Sequence, residues 1–204
     1  MLSKYGAADY VFQFITVTAG VLIALFIDGL VEQNHNRELV LTARNMLALE
    51  VADNLKELEG IPASVVASNN NVETGLKLAN DLISKGKSDV HELTLNFNIA
   101  TLSDASWQSA DRTGALGLMD YDEVRKYSEL YSFQEFFDVQ QRKAVDLVAA
   151  SSVLIAPSFD PTTANKQDLA KFRENLMMLQ ASLMITDQLG KQLLEAYRKF
   201  QPGK

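Results

Sequence analysis

Few residues in this chain could do chemistry. It has two histidines, His35 and His91, and no cysteine. Glu32-Gln-Asn-His35 has the Glu-x-x-His spacing that sets both side chains on one helix face, as in di-iron carboxylate bundles. Such a site needs the motif twice and two further glutamates, and Ser88 stands where the second motif would need its carboxylate before His91. A Ser-His-Asp triad would have to recruit His35 or His91, and neither lies beside a nucleophile elbow. Gly114-Ala-Leu-Gly117 lacks the lysine and the preceding strand of a phosphate-binding loop. Asp120 and Asp122 are a pair of carboxylates with a sufficient role in helix capping. The remaining candidate is aromatic: Trp107, Tyr121, Tyr127 and Tyr131 could line a ligand pocket, although bundle cores use such residues too. The expectation is a protein with no catalytic residues, no metal site and no cofactor, and not an enzyme.

Composition narrows the classes further. The net charge of −7 is the wrong sign for a nucleic-acid backbone and for broad contact with anionic lipid. Without cysteine there are no disulfides, thiol nucleophiles or thiolate metal sites. Four prolines and ten glycines in 204 residues, with 47% hydrophobic content, favour a helical chain with a real core.

The elements that would position these residues begin with an apolar run. Tyr10 to Ile27 is 18 residues without a charge, about the length that crosses a ~30 Å bilayer core. A cleaved signal peptide has a shorter apolar core of ~7–15 residues and a small-x-small cleavage site. The exit here, Phe26-Ile-Asp-Gly-Leu-Val-Glu32, has no such site, so the run reads as a retained anchor. Residues 1–9 form a tail, 10–30 the transmembrane helix and 31–204 an extramembrane helical domain. Thr16, Gly20 and Ala24 recur every fourth residue, with Gln13 and Asp28 near the ends of the same stripe. Small residues so placed let a second helix approach closely in lipid. These five are the candidate partner-binding face, for an integral membrane protein or a second copy of the chain. Lys4 precedes the run and Arg37 and Arg44 follow it, a slight tilt toward a cytoplasmic C-terminal domain.

Beyond the run, apolar residues keep a helical period. Val40, Ala43, Leu47, Val51, Leu55 and Leu58 share a face up to the break at Gly60-Ile-Pro62. Val65, Val72, Leu76, Ala79 and Ile83 make a second face ending at Gly86, interrupted by Asn69-Asn-Asn71. Leu93, Leu95, Phe97 and Ile99 alternate with polar residues, which reads as an extended connection packed on the bundle. Ser103 or Asp104 can cap a short helix carrying Trp107 and ending at Gly114. Asp120-Tyr-Asp-Glu123 has the form of a capping box opening a segment to Ile155, with Val124, Tyr127, Tyr131, Phe136, Phe137, Val145 and Val148. Pro157 and Pro161 bracket a turn. The final series, Leu169, Phe172, Leu176, Leu179, Leu183, Thr186, Gly190, Leu193, Tyr197 and Phe200, alternates spacings of three and four without a break. The prediction is all-α: one N-terminal transmembrane helix, then an antiparallel bundle of about four helices with one short extended segment.

Two stretches carry a resemblance. Phe14 to Glu32, with its Gly20-Val-Leu-Ile-Ala-Leu25 run, resembles the start of an uncharacterised family of bacterial single-span membrane proteins. Trp107-Gln-Ser-Ala-Asp-Arg-Thr-Gly-Ala-Leu116, followed by Leu118, Asp120 and Tyr131, is similar to that family's central motif. The chain departs at the exit, where Asp28-Gly-Leu-Val31 replaces an Asn- and Trp-containing turn. The resemblance implies a bacterial inner-membrane protein with its domain on the periplasmic side, and no activity. Taken together, the sequence predicts a non-enzymatic, membrane-anchored accessory or scaffold subunit. The alternative is a tethered ligand-sensing bundle that signals through a partner.

Overall fold

A computed structural model describes residues 7–152 and 165–200. Lys4, Ile155, Pro157 and Pro161 lie outside the described residues, as do most of the predicted tail and the turn that the two prolines bracket. The fold is all-α: α1 (Ala7–Glu59), α2 (Ile61–Lys85), α3 (Ala105–Arg112), a 3-10 turn (Ala115–Leu118), α4 (Tyr121–Ser152) and α5 (Lys166–Lys199). No strand occurs among the described residues.

Helix α1 has 53 residues, about 80 Å at 1.5 Å per residue. Its first part contains a window of mean hydropathy 2.3 with none of its residues buried in the protein, long and apolar enough to cross a membrane. The sequence boundary at residue 30 falls inside this helix and marks a change in surface composition rather than a break in the chain. Val40 is the first buried side chain among the described residues.

Gly60-Ile-Pro62 does not turn the chain back. Gly60 keeps right-handed helical angles (φ −78°, ψ −20°), and its carbonyl accepts from Ser64 N–H at 3.2 Å. Pro62 falls in the first turn of α2, where its missing N–H has no cost. α1 and α2 therefore continue in one sense as a two-part rod. Helix α5 runs antiparallel along that rod: Tyr197 reaches Asn54, Gly190 lies against Ile61, Leu176 against Gly75, and Arg173 bonds Asn80. Helix α4 runs antiparallel to α5, pairing Gln134 with Tyr197 and Gln140 with Ser182. The expected antiparallel four-helix arrangement is thus modified: the rod and α4 are parallel, and α5 joins them.

Between the parallel pair lies the extended segment 87–104. It returns along α2, held by Ser68 Oγ on the Asn96 carbonyl at 3.0 Å and Ser64 Oγ on the Asn98 carbonyl at 3.1 Å. The expected alternation holds for buried Leu95 with half-buried Leu93 and Phe97, then fails, because Ile99 is exposed and Ala100 is buried. Polar contacts of the Ala100 backbone set that register. The core series of α5 is buried as read from Leu169 to Tyr197, with Phe200 half-buried. In α4, Phe136 and Val145 are exposed instead, and Leu130, Gln134 and Gln141 hold the buried positions. Leu47, Leu58, Leu176 and Leu183 are fully buried, each contributing about 1.5–3 kcal/mol by removal from water.

Candidate functional site

An extended segment inside a bundle has backbone groups that no sheet satisfies, and each must find a partner. Two carboxamides supply them. Asn54 of α1 accepts from Ser103 N–H at 2.8 Å and donates to the Ser103 carbonyl at 2.7 Å. Gln141 of α4 does the same for Ala100, accepting at 2.7 Å and donating at 3.2 Å. Each side chain thus mimics one rung of a β-ladder. Gln134 adds a second donor to the Ser103 carbonyl and receives the Tyr197 hydroxyl. Asn54 and Gln134 are 2% and 3% exposed, and both are fully engaged.

One turn before Asn54, Glu50 caps α3 from another helix. The expectation that Ser103 or Asp104 caps this helix is half right. Asp104 occupies the cap position but its side chain makes no capping bond, while Ser103 Oγ receives Ala105 N–H at 3.3 Å. Glu50 Oε2 accepts from Ser106 N–H at 2.8 Å and Ser103 Oγ at 2.7 Å, and Oε1 from Tyr131 OH at 2.6 Å and Trp107 N–H at 3.4 Å. The N–H groups of Ala105, Ser106 and Trp107, orphaned at a helix start, are all satisfied. Burial pushes the Glu50 pKa up, but the four donors outweigh it and leave it below the ordinary value, so the side chain stays ionised. Burial, and then donation to this carboxylate, push the Tyr131 pKa up. Glu50 is a locked anion and Tyr131 a locked donor. Neither is free to move a proton to a substrate.

Trp107, Tyr127 and Tyr131 form an aromatic stack. The centroids of Trp107 and Tyr131 are 5.3 Å apart, and those of Trp107 and Tyr127 6.3 Å. Tyr127 also meets Phe200 at 4.8 Å. Tyr121 stands apart, 79% exposed. Six residues of helix at 3.6 per turn put it about 120° around α4 from Tyr127. The Tyr127 hydroxyl is buried without a protein partner, and burial, then Glu123, pushes its pKa up to about 12. The predicted capping box is also half made. Asp120 Oδ1 accepts from Asp122 and Glu123 N–H at 2.9 and 3.3 Å, but the Glu123 carboxylate turns to Arg44 of α1, at 2.6 Å from Nη2 and 2.9 Å from Nε.

The remaining sequence candidates disperse. Glu32, His35 and His91 are exposed, and no group of three His, Asp or Glu among the described residues is placed to hold a metal ion. Gly114 takes φ +78° after α3 and leads into the 3-10 turn, whose first bond runs from Gly117 N–H to the Gly114 carbonyl at 3.1 Å. Gln13, Thr16, Gly20, Ala24 and Asp28 all lie on α1, exposed and unpacked by the rest of the chain. Nothing comes within 4 Å of a Cβ built on Gly20, so its surface is open to a close neighbour. A cavity of about 290 Å³ opens beside the aromatic stack between α3 and α4, lined by Trp107 and Tyr131 but not by Tyr121 or Tyr127.

Sequence reading missed Glu50, Asn54, Gln134 and Gln141. The signal was present: 43, 47, 50, 54 and 58 keep three-four spacing, so two polar residues fall on a core stripe, where burial requires partners. Fold and site together define a class of protein: a helix of membrane-spanning length that continues unbroken into a helical bundle organised by a buried polar clamp. Comparison with protein-family models, with curated proteins and with solved structures found no match to this chain.

Proposed function

We propose that this is a non-enzymatic, membrane-anchored scaffold or accessory subunit that holds its bundle in a fixed position and orientation for partners in a membrane complex. The observation that carries this reading is the continuity of α1. One helix supplies the apolar segment and then Arg44, Glu50 and Asn54, the residues that tie the bundle together. A flexible tether would leave the bundle free to turn, whereas a continuous helix fixes the azimuth of every bundle face to that of the span. The ionisable groups support a structural role, because the buried carboxylate, Glu50, is engaged in holding the segment 103–107. The resemblance of residues 14–32 and 107–116 to bacterial single-span proteins supports an inner-membrane location with the bundle in the periplasm. The partner is an integral membrane subunit or a second copy, docked on Gln13, Thr16, Gly20, Ala24 and Asp28.

The chain has no cysteine, which makes the test clean. Single cysteines at Thr16, Gly20 and Ala24, and at Thr18, Leu22 and Leu25 on other faces, are cross-linked in native membranes. The expected result is a discrete adduct, to self or to another membrane protein, from the first set only. Equal labelling on all faces, or none, together with monomer alone in mild detergent, overturns the proposal. The alternative of a ligand-sensing bundle draws on one feature, the cavity beside Trp107.

A further inference from the structure

The cavity between α3 and α4 has a composition that the clamp does not explain. One wall is the aromatic pair Trp107 and Tyr131, and the rest includes Asp104, Glu135, Asp138 and Arg142, around about 290 Å³. That is the space of roughly ten waters at ~30 Å³ each, enough for a small organic molecule. Three carboxylates face one guanidinium. Arg142 makes no ion pair within 4.0 Å among the described residues, so it moderates the field without cancelling it.

The carboxylates here are poorly served compared with Glu50. Asp138 is half-buried and receives one hydrogen bond, from Gln141 Nε2 at 3.2 Å. Asp104 receives one from Gln108 at 2.8 Å. Burial pushes the Asp138 pKa up, against the Gln141 hydrogen bond and the Arg142 charge that pull it down, with Asp104 and Glu135 adding smaller upward pushes. No three acidic groups among the described residues come together as a metal site, so a single compact ion does not fit the arrangement. An elongated cation does, because it can meet separated carboxylates while its hydrocarbon part covers the half-buried indole of Trp107. Charge alone would describe a solvated surface. The concavity and the indole wall are what distinguish this place from the other acidic faces.

We propose that this cavity binds a small organic cation, an alkylammonium or diamine. Its charge sits among Asp104, Glu135 and Asp138, and its chain lies against the half-buried indole of Trp107. This inference is independent of the scaffold role, since it is read on purified protein and the other in membranes.

Trp107 is the only tryptophan, so its fluorescence reports on the site directly. Full-length protein in neutral detergent is titrated with 1,4-diaminobutane at constant ionic strength, with butane-1,4-diol and sodium chloride as controls. The expected result is a saturable change in Trp107 emission and a rise in Tm, given by the diamine and by neither control. Glu135→Gln with Asp138→Asn should weaken the apparent Kd about tenfold or more, with an unchanged circular dichroism spectrum. If the double variant misfolds, Glu135→Gln alone, at an exposed position, should still weaken binding several-fold. No saturable response up to about ten millimolar diamine overturns the proposal, as does an equal response from the diol or from folded carboxamide variants.

Discussion

Replacing Glu50 tests whether the clamp organises the bundle. The side chain is 7% exposed and accepts four hydrogen bonds. In Glu50→Ala the Ser103 hydroxyl can turn to water, because Ser103 is exposed. The hydroxyl of buried Tyr131 has no such outlet and the half-buried Ser106 N–H has less of one, and each buried donor left unpaired costs about 1–3 kcal/mol. With the lost packing the total is about 3–5 kcal/mol, and at about 2–4 °C per kcal/mol for a chain of this size Tm falls by roughly 10 °C or more. Glu50→Gln is gentler. Its amide oxygen can keep the Ser103 and Ser106 bonds, and the Tyr131 oxygen can accept from its nitrogen, so the loss is about 1–2 kcal/mol. The carboxylate also carries a pH signature. Its pKa in the fold lies below the ordinary 4.5, so its stabilisation is present above that value and is lost as pH falls through the lower, folded value. Glu50→Gln removes that component of acid sensitivity. Circular dichroism melts of the full chain in detergent, at neutral pH and across about pH 3–5, measure all three effects. A Glu50→Ala protein as stable as the parent, or alanine and glutamine variants that melt together, would refute the reasoning.

Three further comparisons use the same melts. Tyr131→Phe should lose about 1.5–3 kcal/mol, because Glu50 loses a charged hydrogen bond, whereas Tyr127→Phe should be neutral or stabilising, since that hydroxyl has no protein partner; equal losses at the two sites would contradict the assignment. Gly190→Ala puts a Cβ 3.0 Å from Ile61 Cγ2 and 3.3 Å from a Phe137 ring carbon, both on stiff side chains. Overpacking of about 1–3 kcal/mol then outweighs the ~1 kcal/mol gained in helix propensity. Gly75→Ala meets the mobile ends of Leu176 and Leu93 at 2.9 and 3.3 Å, and should come out near neutral. If Gly75→Ala proves the worse of the two, the packing argument fails. Asp138→Asn should raise Tm slightly at neutral pH, because a raised pKa means the fold disfavours the carboxylate; a clear drop in Tm would show that the charge is structurally needed.

Periodicity made the helices legible, and for a physical reason: the core series of α5 repeats without a polar interruption until Thr186, so burial follows from spacing alone. The stack of Trp107, Tyr127 and Tyr131 was legible as a grouping, and Tyr121 fails to join it because of its angle around α4. The direction of the chain at Gly60 was not legible. Glycine followed by proline reads as a stop, yet both fit a helix start, and only the order of contacts along α5 reveals that the rod continues. The clamp was hidden for another reason. Glutamate, asparagine and glutamine on a helix normally face water, and what makes 50, 54, 134 and 141 internal is a segment nearly fifty residues from α1, whose backbone needs them.

That dependence works in both directions. Rotating α1 by one residue, about 100°, would take Glu50 and Asn54 away from the segment 100–107 and bring Leu49 and Asp53, or Val51 and Leu55, toward it. Leu49, Val51 and Leu55 offer no side-chain hydrogen bonds, and Asp53 can accept from Ser103 but cannot donate to it. The backbone groups of Ser103, Ser106 and Trp107 would then lose their α1 partners, at about 1–3 kcal/mol for each one left buried. The bundle therefore cannot slip in phase along its own first helix without losing the connection between α2 and α3. The azimuth of the small-residue stripe at Gly20 is therefore tied to the direction in which the cavity at Trp107 faces, and the buried Glu50, Asn54 and Gln134 keep the two in register.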